Sequence, residues 1–168
     1  GQQVASAESI AGALDWMMEN QVPVINISIE GPNNPILRAL VRRASERGHV
    51  IVAAAGNGGP LAQPAYPAAF EGSLAITAID ANNRVYARAN RGGYIDFAEH
   101  GVNITVPTGG DDLVVSGTSF ASPLVAARIA AQLQAPSVER ARAILADLRA
   151  RALDLGDPGH DVIFGWGA

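Results

Sequence analysis

Ser116-Gly117-Thr118-Ser119-Phe120-Ala121-Ser122-Pro123 runs straight into the apolar stretch Leu124-Val125-Ala126-Ala127, and the turn made here sets how the rest of the chain folds. Two small, flexible residues precede Ser119, and a helical pattern starts directly after it. The spacing therefore predicts that the Ser119 hydroxyl stands at a strand-to-helix corner. With the helix starting at Ser119 or Phe120, Pro123 falls in the first turn, where a missing N–H costs nothing. The unpaired N–H groups of that turn and the positive end of the helix dipole then face Ser119 and favour negative charge beside it. A serine at such a corner also reads as an ordinary helix cap, so the motif has to be weighed whole.

Working back from this corner, Val50 to Ala55 reads as a buried strand that ends in Gly56-Asn57-Gly58-Gly59, and Leu74 to Ile79 as another, closed by Asp80-Ala81-Asn82-Asn83. Val22 to Ile29 is a third, with β-branched residues almost without a break, as in a parallel strand covered on both faces. Two amphipathic helices alternate with these strands. Ser6 caps one that runs to Asn20 with Ile10, Leu14, Met17 and Met18 at helical spacing, and Asn34 caps the other with Pro35 at its first position. Pro64-Ala65-Tyr66-Pro67 reads as a rigid, irregular loop, Arg84 to Gly93 as a turn-rich excursion, and Tyr94 to Ala98 as a short strand. Ser137 caps a last helix, and the tail to Gly167 is loop-rich. The alternation predicts an α/β fold, a mostly parallel sheet with helices on both faces, in a single domain over residues 1–168.

Composition removes whole classes of function. Net charge is −4 with no basic cluster, which argues against nucleic acid or an anionic membrane as partner. No apolar run approaches the roughly 20 residues that span a bilayer. With no Cys, thiol nucleophiles, disulfides and cysteine zinc sites are excluded. Every basic residue is Arg, so a Ser–Lys dyad, a Schiff base and a lysine-bearing phosphate loop are excluded too. Gly56-Asn57-Gly58-Gly59 lacks the spacing of a dinucleotide fingerprint, which leaves a nucleotide-binding reading without support.

Two motifs converge on one chemistry. Gly117-Thr118-Ser119-Phe120-Ala121-Ser122-Pro123 resembles the nucleophile motif of subtilisin-like serine proteases, and Ala53-Ala54-Ala55-Gly56-Asn57-Gly58 resembles the oxyanion segment of the same family. The resemblance runs from about Val24 to Gly167. It implies a subtilisin-like three-layer architecture without its N-terminal strands, and a peptide bond hydrolysed through an acyl-enzyme on Ser119. Asn57 and the Ser119 N–H would hold the oxyanion. Asn26-Ile27-Ser28-Ile29 with Gly31-Pro32 looks like the strand that pairs with extended substrate, and Tyr66-Pro67-Ala68 like the floor of the specificity pocket. The implied substrate-binding set is thus Ser28, Ile29, Glu30, Ala54, Ala55, Gly56, Tyr66 and Thr118, with a cis bond before Pro67. Leu124 and Ala127 stand where the family usually has His and Gly, Glu30 where it often has Gly, and Glu99-His100 in place of a Pro.

The general base and its orienting carboxylate are missing. In this family both precede the serine, in an Asp-Ser/Thr-Gly turn and a His-Gly-Thr-His helix start, and neither motif occurs here. Of the three histidines, His49 immediately precedes the strand that leads to Asn57 and so lies roughly 20 Å from its reactive end at about 3.3 Å per residue. His100 and His160 read as loop histidines. The expectation is the C-terminal part of a subtilisin-like catalytic domain, nearly inactive alone. The alternative is a degenerate, non-catalytic peptide-binding module. No leader is visible at Gly1, where the chain opens directly onto a helical pattern. The resemblance implies a peptide or protein substrate, a secreted or periplasmic location and no cofactor, with calcium allowed but no site identifiable. It also implies that strand 22–29 either meets the N-terminal part of the domain or drives self-association.

Overall fold

A computed structural model describes residues 5–168, so Gly1 and the leader reading attached to it lie outside the described residues. In chain order the elements are α1 (Ala7–Glu19), β1 (Val24–Ile27), α2 (Pro35–Glu46), β2 (Val50–Ala54), β3 (Ser73–Ile79), β4 (Ile95–His100), β5 (Ile104–Val106), β6 (Leu113–Val115), α3 (Thr118–Ala130) and α4 (Val138–Arg151). β1 to β4 form one sheet in sequence order, parallel throughout, and β5 and β6 form a separate antiparallel pair. Three of the four helix starts among the described residues are set by the expected caps: Ser6 accepts from Ser9 N–H, Asn34 from Ile36 and Leu37, and Ser137 from Arg140.

Alternate side chains of the strands point to opposite faces, and each face is covered by its own helix pair. Leu14 and Met18 of α1 and Leu37, Val41 and Ala44 of α2 pack on Ile25, Ile51 and Ala53. On the other face Val125 and Ile129 of α3 and Ile144 of α4 pack on Val52, Ile76 and Phe97. Burying a Leu, Ile or Phe is worth about 1.5–3 kcal/mol, so these two clusters hold the three layers. The expected α/β fold with helices on both faces is what forms.

Three expectations about local structure change. The strand read from Val22 to Ile29 is only Val24–Ile27. Pro23 lies before it, and beyond Ile27 the chain leaves the sheet to reach α3. The strand read as Tyr94–Ala98 runs instead from Ile95 to His100, because Glu99 is buried and paired with Arg128 of α3 at 2.7 Å. His100 is therefore at a strand end, in register with Ile79. The β5–β6 hairpin was not legible, since three-residue strands carry no periodicity.

The two outer edges of the sheet differ. Along β4, the tail folds back so that Ala98 N–H donates to Gly167 O at 2.7 Å and Trp166 N–H to Asp96 O at 2.8 Å. Along β1, β2 is the only partner among the described residues. Between α1 and that open edge lies an apolar groove of about 250 Å³, lined by Ile10, Met17, Ile27 and Ile29 among others.

Candidate active site

Gly117 caps α3 in an extended conformation, and α3 begins at Thr118, one residue earlier than the motif suggested. Pro123 is consequently its sixth residue, in the second turn, which corrects the expectation of the first. There a proline removes the donor that the carbonyl four residues back, that of Ser119, would have accepted. The Ser28 hydroxyl takes that place: it donates to Ser119 O at 3.2 Å and shares a hydrogen bond with Ser122 Oγ at 3.1 Å, while Asn26 Nδ2 donates to it at 2.8 Å. The Ser28 side chain is thus spent on positioning the nucleophile helix.

Asn57 follows directly on the Gly56 turn. Its Oδ1 accepts the Thr118 backbone N–H at 3.0 Å and the Thr118 hydroxyl at 3.3 Å, and the hydroxyl oxygen in turn accepts the Gly56 N–H at 3.2 Å. With the oxygen so fixed, the Asn57 Nδ2 is the free end of the amide. A Cβ placed on Gly117 would lie 3.3 Å from Ser119 Oγ and 3.7 Å from Asn57 Nδ2, so hydroxyl and amide flank one small volume. Among the described residues neither Ser119 Oγ, the Ser119 N–H nor Asn57 Nδ2 has a hydrogen-bond partner.

The implied wall residues divide. Thr118 and Ala55 are fully buried and Ala54 is 5% exposed, so these side chains support the site from behind. That corrects their reading as substrate contacts. Ile29, Glu30 and Tyr66 face open space. Gly31 and Tyr66 exchange backbone hydrogen bonds at 2.9 and 3.2 Å, the Tyr66–Pro67 bond is cis, and this closes the loop onto the extension of β1. Two hollows flank Glu30 and Gly31. One, of about 290 Å³, is lined also by Gly58, Ala65 and Asn90. The other, of about 510 Å³, is more apolar, with Ile10, Ile29, Leu37 and Tyr66.

Asn90 and Tyr94 were not singled out in the sequence. Asn90, 3% exposed, accepts the Gly58 N–H at 2.8 Å on Oδ1, donates from Nδ2 to Gln63 O at 3.3 Å, and donates its own N–H to Gly56 O at 3.1 Å. It clamps the loop that carries Asn57. Tyr94 OH donates to Ala55 O at 2.8 Å, and burial pushes this phenol above its ordinary value of 10.0. Asn90 sits in the turn-rich excursion and Tyr94 directly after it, where no local signal marks a residue that will fold under another loop.

No histidine of the described residues reaches Ser119. His49 Nδ1 lies 2.7 Å from Val22 O at the far end of β2, His160 Nε2 lies 2.7 Å from Ile95 O, and His100 stands beside Glu99. No three His, Asp or Glu side chains among the described residues gather where a metal ion would sit. No helix of the described residues is long and apolar enough to cross a membrane.

Residues 1–167 match the family model described as the subtilase family. The chain is 32% identical to the minor extracellular protease Epr of Bacillus subtilis (strain 168), with 95% of the chain and 25% of that protein covered. It is 36% identical to subtilisin Savinase of Lederbergia lenta, over 72% of the chain and 45% of the relative. The chain thus spans between a quarter and a half of these relatives' length. Among solved structures, a lanthipeptide protease superposes with a TM-score of 0.84 at 23% identity, over 99% of the chain and 65% of that structure. Sphericase gives 0.77 at 26% identity, over 96% and 61%.

Proposed function

The chain belongs to the subtilase family, and from that premise we propose that it is the part of a serine endopeptidase that carries the nucleophile, the oxyanion donors and most of the substrate groove. The observation that carries this reading is the orientation of Asn57, whose Oδ1 is held by Thr118 so that Nδ2 shares the space in front of Ser119. Ser119 Oγ attacks the carbonyl carbon of an extended peptide, and its proton passes to a general base. The electron pair moves to the carbonyl oxygen, where Asn57 Nδ2–H and Ser119 N–H donate to it. The pair then returns, the C–N bond breaks, the amine leaves with the proton, and water releases the acyl group by the same route.

The base is to come from a segment other than residues 5–168. The open edge of β1 is where it would dock: β1 leads through Ser28 directly to Ser119, and the edge is apolar, whereas the β4 edge is already covered. An extended peptide running beside Ile29 to Gly31 would turn successive side chains to opposite sides, toward the two hollows. We place the complete protein outside the cell, in keeping with the relative that is named an extracellular protease.

A phosphonylating serine reagent tests the reading. The full-length protein should be labelled on Ser119 and should cleave unstructured peptides, Ser119→Ala should do neither, and the 168-residue chain alone should react at no more than a trace of that rate. A full-length protein that binds peptides but is never labelled would leave the non-catalytic module as the correct reading.

A further inference from the structure

We infer that Glu30 makes the hollow beside the oxyanion loop a site for a basic side chain, and that the protease prefers Arg or Lys as the residue whose carbonyl is attacked. This rests on the catalytic reading proposed above. The carbonyl of that residue must lie between Ser119 and Asn57, so its side chain leaves the backbone next to Gly56, one residue from Asn57. There Glu30 is waiting. Its Oε2 lies 2.7 Å from the point a Cβ on Gly56 would occupy, and with the Asn90 amide it fills that space, so the carboxylate stands directly over the backbone of Gly56. The hollow of about 290 Å³ lies beside this carboxylate, with Glu30 and Gly31 on one wall and Gly58, Ala65 and Asn90 on the others.

The other polar groups around the carboxylate are already engaged. Asn90 Oδ1 is held by Gly58 N–H, Asn90 Nδ2 by Gln63 O, and Tyr94 OH by Ala55 O. Among the described residues no arginine pairs with Glu30 and no donor reaches its oxygens, which leaves an anion with unfilled acceptor sites at the mouth of a cavity. A cationic side chain entering there supplies both charge and donors. An apolar one covers the carboxylate and removes water from it without replacement, which costs free energy, and an acidic one is repelled. The preference therefore comes from rejection of Leu, Phe and Glu as much as from attraction of Arg.

The test uses the full-length protein and peptides identical except for that one residue: Arg, Lys, Leu, Phe or Glu. Arg and Lys are expected to lead Leu by about tenfold or more in kcat/KM, with the lead shrinking as salt is raised because part of it is Coulombic. Glu30→Gln should bring the Arg to Leu ratio close to one, and Glu30→Arg should place Glu ahead of Arg. Leu or Phe leading in the unaltered protein, or an Arg to Leu ratio that Glu30→Gln leaves untouched, would overturn the inference. Phosphonate labelling of Ser119 in each protein separates the two levels. Labelled protein with a Leu preference defeats only the role of Glu30, whereas unlabelled protein that cleaves nothing defeats the catalytic reading and this inference with it.

Discussion

Asn57 gives its side-chain oxygen to the backbone N–H of Thr118 at 3.0 Å, and this one contact across 61 residues decides which end of the amide faces Ser119. Position and donation are separable here, because carboxylate and amide share the oxygen but not the N–H. Asn57→Asp keeps the acceptor for Thr118 and loses the donor. In the full-length protein it should lower kcat by about 10²–10³ with little change in KM and no loss of thermal stability. A KM effect with kcat preserved would place Asn57 in substrate binding instead.

Thr118 acts through Asn57 and Gly56, so its effect should follow its hydroxyl. Thr118→Val leaves the buried Gly56 N–H without its acceptor, at a cost of about 1–3 kcal/mol. It should also reduce kcat, and Thr118→Ser should restore both. Denaturant unfolding beside steady-state kinetics reads the two together, and failure of the serine variant to rescue would point to the methyl group as the element that matters.

Asn90→Ala removes the acceptor for Gly58 N–H and the donor to Gln63 O, both from a side chain in a buried position. A loss of about 1–3 kcal/mol is expected. Hydrogen exchange should rise at Gly58 before it rises in β2. Uniform exchange across both would show that the clamp is not local.

Arg128 neutralises the buried Glu99 from α3. Removing it leaves Oε2 of a carboxylate that is 4% exposed without its cation while Oε1 keeps the His100 N–H. Arg128→Met should cost about 2 kcal/mol or more, while Glu99→Gln in the same background should recover part of the loss. Additive losses in that double-variant cycle would mean the pair is not coupled.

Burial raises the Asp96 carboxyl above its ordinary 3.8, with the Ala75 N–H, Arg149 and His160 opposing that rise. The folded state therefore holds this proton more tightly than the unfolded state. Asp96 contributes most below the ordinary value, and its contribution declines as pH rises from about 3.8 through its raised value. Asp96→Asn, which keeps an oxygen for Ala75 N–H, should flatten stability across that interval and leave the protein no less stable at neutral pH. Melting curves from pH 3 to 7 check the sign, and an Asn variant markedly weaker at pH 7 would contradict it.

The octapeptide at Ser119, the Ala53 to Gly58 segment, the three helix caps and the apolar strands made the family and the fold class legible from sequence alone. Each is a local signal: a periodicity, a cap or a contiguous motif that short-range sterics and hydrogen bonding turn into one conformation. The distance of His49 from Asn57 was legible too, since His49 immediately precedes β2 and Asn57 follows its far end. What the tertiary structure alone decided is how distant segments meet. Ser28 fills the acceptor that Pro123 frees, Asn90 holds Gly58 from 32 residues away, Glu30 settles over Gly56, and Glu99 finds Arg128 inside the domain. None of these partners is fixed by spacing along the chain. They follow from the way the two helix layers and the loops at the strand ends pack, where an unmatched buried polar group would cost more than the hydrogen bond it makes.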